Sequence, residues 1–116
     1  MDSENMDNWT IQLRKGMFEL TILSQIKNQS RYGYEISAAL KQSPLFSISE
    51  GAIYPILKRM TEKGWIEFYW EDSLEGPRRK YYYITKEGSL LLKERIMKLK
   101  EIYEAVELLG GGGAFE

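Results

Sequence analysis

The order of the periodic segments is the feature that most restricts the fold of this chain. Two short helical patterns, at 32–40 and 49–63, are joined by a brief connection. They are followed at once by two runs rich in aromatic and branched residues, 65–70 and 79–84, which predict an antiparallel hairpin with a long tip over 71–78. Because 116 residues provide material for one hydrophobic core, these segments must pack into a single domain.

Capping residues indicate where the helices begin and end. Ser49 is predicted to cap the second short helix, although Ser47, with Glu50 three residues later, forms an alternative capping box. Gly64 can adopt the left-handed conformation that ends such a helix. Thr85 is predicted to cap the last helix.

A further helix is predicted on each side of this unit. From Trp9 to Lys27 the apolar side chains become nearly continuous, which is typical of one helix buried on several sides. The last helix covers 86–109. These elements predict an α+β winged helix-turn-helix with an additional C-terminal helix. Residues 1–8 and 110–116 are expected to form flexible termini.

The composition excludes several kinds of active site. The chain has no cysteine and no histidine, which removes Ser-His-Asp and Cys-His groupings and zinc sites built from nitrogen or sulfur ligands. Carboxylates, serines and lysines do not stand at a catalytic spacing, so we expect neither an enzyme nor a bound cofactor or metal. No apolar run has the length of a membrane span, and the first ten residues carry three acidic groups, so a cytoplasmic location is expected.

The basic residues are concentrated in the predicted winged unit. The net charge is −1, but residues 9–85 hold eleven basic and eight acidic side chains. Three of the basic residues are consecutive, Arg78, Arg79 and Lys80, and are called the basic triplet below. A narrow ribbon that carries them can lie along a phosphate backbone or enter a minor groove. The alternative is an ordinary solvated strand end.

The second short helix carries the residues expected to contact DNA bases. Its N-terminal turns would face base edges in a major groove, whereas later basic residues would reach phosphates. The candidates are Ser49, Ala52, Tyr54, Lys58 and Arg59. Alternatively, Tyr54 belongs to the core, and Lys58 and Arg59 are ordinary surface charges. The crowded hairpin tyrosines favour cross-strand packing, with a single-strand stacking platform as the alternative.

The last helix has an apolar seam. Its residues recur at alternating spacings of three and four: Ser89, Leu92, Ile96, Leu99, Tyr103 and Val106. A seam of about two heptads is too short to hold a coiled coil alone. We therefore expect it to pack on the first helix of a second copy as well, with the last five of these residues forming the dimer interface. The alternative is packing within one chain.

Five blocks of the sequence resemble the PadR family of bacterial transcriptional regulators. They are 32–36, 51–60, 64–66, 76–82 and 84–88. The single C-terminal helix resembles the compact, LmrR-like branch. The resemblance implies a homodimeric repressor that binds double-stranded DNA at an inverted repeat and is released by a small aromatic compound. It also implies DNA contacts by Tyr34, by the helix around Ser49, Tyr54 and Lys58, and by the basic triplet.

Two positions depart from the family pattern. Ala52 stands where the family usually has threonine, so one hydroxyl contact to DNA is missing. Leu99 stands where LmrR-like members place a tryptophan, which weakens the expected stacking against planar drugs.

An effector cleft is expected where the first helices of a dimer would cross the last helices around the two-fold axis. Its predicted lining is Met17, Phe18, Ile96, Leu99 and Tyr103. A filled core without a cleft is the alternative.

These features predict a homodimeric winged-helix repressor in which residues 9–85 bind DNA and residues 86–109 form the dimerisation helix. The alternative is a winged-helix adaptor that binds proteins and not DNA. Such an adaptor would have no need of three consecutive cations on its wing.

Overall fold

The computed structural model describes residues 6–111, and the predicted flexibility of 1–5 and 112–116 lies outside them. In this range the chain forms five helices and a three-stranded antiparallel sheet. The architecture is the predicted winged helix-turn-helix, in which α3 and α4 form the helix-turn-helix and β2 and β3 form the wing. The elements are α1 (Asn8–Lys15), α2 (Phe18–Ile26), β1 (Arg31–Tyr32), α3 (Gly33–Lys41), α4 (Glu50–Glu62), β2 (Ile66–Ser73), β3 (Gly76–Ile84) and α5 (Lys86–Leu109).

The prediction of one helix over residues 9–27 is wrong, because the structure divides this segment into α1 and α2 at Gly16 and Met17. Glycine is a poor helix former, and the break separates two helices of different character. None of the residues of α1 is buried, whereas α2 buries Phe18, Leu20, Ile22, Leu23 and Ile26. The near-continuous apolar pattern therefore belongs to α2 alone.

Helix α1 begins one residue earlier than the predicted boundary at residue 9. The Asp7 carboxylate accepts a hydrogen bond of 3.1 Å from the Thr10 backbone amide. Hydrogen bonding to the Thr10 side chain and then to this amide lowers the pKa of Asp7, and the hydrogen bond to the amide caps the helix. Residues 7 and 8, assigned above to a terminus, are thus the start of a capped helix.

The wing differs from its prediction in length. The strands β2 and β3 extend to Ser73 and Gly76, so the connection between them is Leu74 and Glu75 and the predicted long tip over 71–78 is wrong. Polar residues can continue an exposed two-stranded ribbon because the ladder requires only backbone hydrogen bonds. The two-residue strand β1, which the sequence analysis missed, adds to the other edge of β3, giving the order β1-β3-β2.

The core lies between α2, α3, α4 and the base of the wing. Its buried side chains are Leu20, Ile22, Leu23, Ile26, Ile36, Leu40, Ile53, Leu57, Met60, Ile66, Tyr82 and Leu92. The predicted start of α4 is confirmed, since Ser49 Oγ accepts a hydrogen bond of 3.3 Å from the Ala52 amide. The predicted stop is confirmed as well, because Gly64 has a φ of 78°.

Thr85 joins the start of α5 to the end of α4. Its hydroxyl donates a hydrogen bond of 2.6 Å to the Gly64 carbonyl and accepts one of 3.0 Å from the Gly88 amide. The Thr85 amide donates to the Trp65 carbonyl at 3.1 Å. Gly88 is buried against that carbonyl, and a Cβ added at Gly88 would overlap the Trp65 oxygen. This set of contacts, called the Thr85 junction, confirms Thr85 as the cap of α5.

Helix α5 extends beyond the core. Its first turns contribute Leu92 to the core, and Leu91 and Leu99 pack partly against it. Several apolar side chains further along are exposed: Ile102, Tyr103, Val106, Leu108 and Leu109. Within residues 6–111, no helix combines the length and hydropathy needed to cross a bilayer.

Candidate nucleic-acid interface

The N-terminal half of α4 presents its polar face to solvent, as a recognition helix requires. Ile53 and Leu57 are buried and fix the helix on α3, while Ser49, Ala52 and Lys58 are exposed. Tyr54 is 44% exposed, so it is neither a core residue nor a free surface side chain. The predicted base-reading residues Ser49, Ala52 and Tyr54 are therefore all accessible, with Ala52 and Tyr54 on different sides of the exposed surface of the helix.

A hollow of about 400 Å³ joins this face to the wing. We call it the basic hollow. It brings together five of the nine predicted DNA-binding residues, and its lining is Tyr32, Gly33, Tyr34, Glu50, Tyr54, Trp70, Arg78, Arg79, Lys80 and Tyr82. Lys58 lies in a neighbouring hollow with Tyr54 and Lys80. Three cations and the first turns of α4 are thus presented on a single concave surface.

The basic triplet lies on strand β3 and not in a loop. Each cation stands over an aromatic ring: Arg78 is 4.8 Å from the ring centre of Trp70, Arg79 is 4.5 Å from that of Tyr32, and Lys80 is 3.8 Å from that of Phe68. Such contacts hold a cation in place while leaving its donors free for an anion.

The sequence analysis missed the aromatic residues that support the basic triplet. The available signal was the spacing of Phe68 and Trp70, which are two residues apart and therefore lie on the same face of a strand. In the β2–β3 register Trp70 pairs with Lys80, and Phe68 pairs with Tyr82, so alternate positions put the rings and Lys80 on one face. Other rings pack on one another as expected, for example Tyr69 on Tyr81 with centres 5.7 Å apart.

Arg59 differs from the other predicted DNA-binding residues. Its Nε lies 3.4 Å from the Glu19 carboxylate on α2, in a pair whose arginine is half exposed. Exposed ion pairs contribute little to stability. The contact therefore directs Arg59 toward α2, and the side chain can leave Glu19 at little cost in free energy. Arg59 is not among the residues that line the basic hollow.

Tyr54 is held by two neighbours. A Cβ added at Gly33 would lie 2.8 Å from Tyr54 Cε1, so the absence of a side chain at Gly33 makes space for the ring. The Tyr54 hydroxyl donates a hydrogen bond of 2.9 Å to Glu50 Oε2. Burial and this hydrogen bond raise the pKa of Tyr54, so the hydroxyl stays protonated at neutral pH and remains a donor.

The predicted dimerisation residues occupy two different environments. Leu92 is 6% exposed and belongs to the core of its own chain, and Leu99 is partly buried against that core. Ile96, Tyr103 and Val106 are 43%, 60% and 55% exposed. Only the last three are free to meet another molecule without unpacking the chain.

The predicted effector residues are likewise separated. Met17, Ile96 and Leu99 line an apolar groove of about 370 Å³ between α2 and α5, together with Leu20, Thr21, Ser24, Gln25 and Leu92. Phe18 is buried and packs edge-on against Phe46 with ring centres 5.5 Å apart. Tyr103 lies further along α5, in a shallow hollow with Leu99 and Lys100.

The sequence matches the Transcriptional regulator PadR-like family over residues 22–94. An uncharacterized protein of Lysinibacillus sphaericus is 35% identical over 100 residues, which are 84% of this chain and 92% of the relative. A PadR-like transcriptional regulator from Bacillus cereus is 38% identical, with a TM-score of 0.74 over 88% of this chain and 99% of that one. The Bacillus subtilis PadR structure, solved in complex with operator DNA, is 26% identical, with a TM-score of 0.65 over 69% of this chain and 46% of that one.

Proposed function

Because the chain belongs to the PadR-like family of transcriptional regulators, we propose that it is a homodimeric repressor that binds an inverted-repeat DNA operator and is released by a small aromatic effector. The winged unit contacts the operator, and α5 sets the spacing of its two copies. The compact, LmrR-like branch is part of this proposal, as are the individual site residues.

The observation that carries the proposal is the basic hollow, where the basic triplet and the first turns of α4 share one surface. Phosphate contacts supply affinity and position the protein, while side chains at the start of a recognition helix read base edges. The basic hollow offers both kinds of group side by side. The operator DNA bound by Bacillus subtilis PadR supports the same class of partner.

A mobility-shift assay on the DNA upstream of the protein's own gene tests the proposal. The labelled fragment should be retarded in the presence of excess unrelated DNA, because specific sites bind about 10³-fold or more tighter than random sequence. Retardation that unrelated DNA abolishes equally well, or no retardation, would favour the protein-binding adaptor instead.

Two exposed apolar surfaces support a dimer. Helix α1 carries Trp9 and Leu13, which are 71% and 51% exposed and border an apolar hollow of about 380 Å³ with Met17, Leu45 and Phe46. The outer face of α5 is the second surface. Contiguous exposed apolar patches in a soluble chain mark interaction sites, and packing α1 of one copy on α5 of the other would cover both.

We expect Ile96→Glu to dissociate the dimer without unfolding the chain. Ile96 is exposed in the single chain, and a glutamate there would be buried and unpaired only when two copies associate. Sedimentation velocity should show a monomer with a melting curve that remains cooperative.

The adjacent variant Met97→Glu is a matched control for this prediction. Met97 is 63% exposed and points away from the seam, so this variant should remain dimeric. A dimer that survives Ile96→Glu would assign the seam to packing within one chain.

The groove between α2 and α5 supports the effector part of the proposal. Its lining is mostly apolar, and Thr21, Ser24 and Gln25 are its polar residues. A planar aromatic molecule would bury its faces there. A ligand that prefers a dimer with differently spaced recognition helices would weaken operator binding in proportion to that preference.

Calorimetric titration of the protein with planar dyes and phenolic acids should detect binding with a Kd on the order of micromolar. Leu99→Trp should tighten binding by roughly fivefold, since an aromatic pair contributes about 1 kcal/mol beyond area burial. No heat and no change in melting temperature across the panel, for either protein, would leave a repressor without an effector of this class.

A further inference from the structure

Glu50 is an acidic residue on an otherwise cationic surface. It is the first residue of α4 and lines the basic hollow beside all three cations of the basic triplet. Neither of the two ion pairs found in residues 6–111 involves Glu50. Its carboxylate is instead held by the Tyr54 hydroxyl through Oε2. The other carboxylate oxygen is left to accept a hydrogen bond from a bound molecule.

A carboxylate at this position repels the phosphates that the basic triplet attracts, because both groups are negatively charged. Phosphate oxygens are acceptors and cannot donate to it. In the major groove the donors are the N4 amino group of cytosine and the N6 amino group of adenine. Adenine presents its N7 acceptor beside that amino group, which repels a carboxylate, whereas cytosine presents no acceptor in the major groove.

We propose that Glu50 reads a cytosine in each half of the operator, by accepting a hydrogen bond from the N4 amino group. Tyr54 is the positioning residue: its ring is seated at Gly33, and its hydroxyl fixes Oε2 so that Oε1 is presented to the groove. The inference rests on the proposed function, since it requires α4 to enter a major groove.

Selection from a pool of randomised duplexes tests this assignment without knowledge of the operator. The wild-type protein should enrich sequences with cytosine at one position of each half-site, preferred over the other bases by about tenfold. Glu50→Gln should shift the preference at that position from cytosine to adenine, because a carboxamide pairs with both N6 and N7 of adenine. Tyr54→Phe should weaken the cytosine preference at the same position.

Glu67→Gln is the matched control for these variants. Glu67 also accepts a hydrogen bond from a tyrosine, 2.6 Å from the Tyr83 hydroxyl, but it is not part of the basic hollow. This variant should select the wild-type sequence. If Glu50 acts only by stabilising the N-terminus of α4, Glu50→Gln should lower the melting temperature slightly and leave every base preference unchanged. That result would overturn the assignment.

Two negative results are distinguishable. If wild-type protein enriches a sequence and Glu50→Gln enriches the same sequence, with cytosine still preferred, the assignment of Glu50 is overturned and the proposed function stands. If wild-type protein enriches no sequence, the proposed function and this inference are overturned together.

Discussion

Gly88→Ala should lower the free energy of unfolding by about 3 kcal/mol, at the upper end of the cost of overpacking. The added Cβ would overlap the Trp65 carbonyl oxygen, which is backbone and cannot rotate away as a side chain would. Relief requires α5 to shift from the sheet, which would break the Thr85 junction. Thermal unfolding should show a melting temperature lower by roughly 10 °C or more.

Gly51→Ala provides the matched control on another helix. A Cβ at Gly51 meets no atom within 4 Å, and alanine is the better helix former. This variant should be as stable as the wild type or more stable by a few tenths of a kcal/mol. Equal stability of both variants would mean that α5 does not need its close approach to Trp65.

Replacing the whole basic triplet with glutamine should weaken operator binding by about a hundredfold at physiological salt, if its three charges act through counterion release alone. The plot of log affinity against log salt should become shallower by about one unit per charge. Binding should weaken on all sequences alike, because phosphate contacts carry no base information.

The control removes three charges from α5 instead. Lys86, Lys93 and Lys100 recur every seven residues along an exposed stripe, and their replacement by glutamine changes the net charge equally. That variant should keep a salt dependence close to that of the wild type. A triplet variant with an unchanged slope would show that β3 does not contact the DNA backbone.

Local signals predicted the helix boundaries well where one side chain determines them. Ser49, Gly64 and Thr85 act on their own first or last turn, so their roles can be derived from neighbouring residues. The division between α1 and α2 was missed because Gly16 alone is a weak signal for the end of a helix, and the apolar residues of α2 follow it directly in the sequence. Strand β1 was missed because two residues carry no periodicity, and its pairing depends on Tyr81 and Tyr82, which are distant in the sequence.

The candidate site was predictable in its residue types and not in its arrangement. The basic triplet and the candidate residues of α4 could be located from sequence, and the structure brings the triplet and Tyr54 into one hollow. The contact between Glu50 and Tyr54 joins residues four apart on one helix, but its significance depends on Gly33, which belongs to another helix. The spacing of Leu92 and Ile96 assigns both residues to the same apolar seam. The structure buries Leu92 and leaves Ile96 exposed, a difference that depends on tertiary packing and cannot be predicted from the spacing.

The Thr85 junction makes α5 a lever with its pivot at the base of the winged unit, and the lever can turn only if Leu92 and Leu99 slide over the core against which they pack. At 1.5 Å per residue, its 24 residues give an arm of about 36 Å. A pivot of about 10° at the junction therefore displaces the far end by about 6 Å, close to two base-pair steps of 3.4 Å. In the proposed dimer, where the two levers are held together, the same small rotation would move the two copies of α4 out of register with successive major grooves.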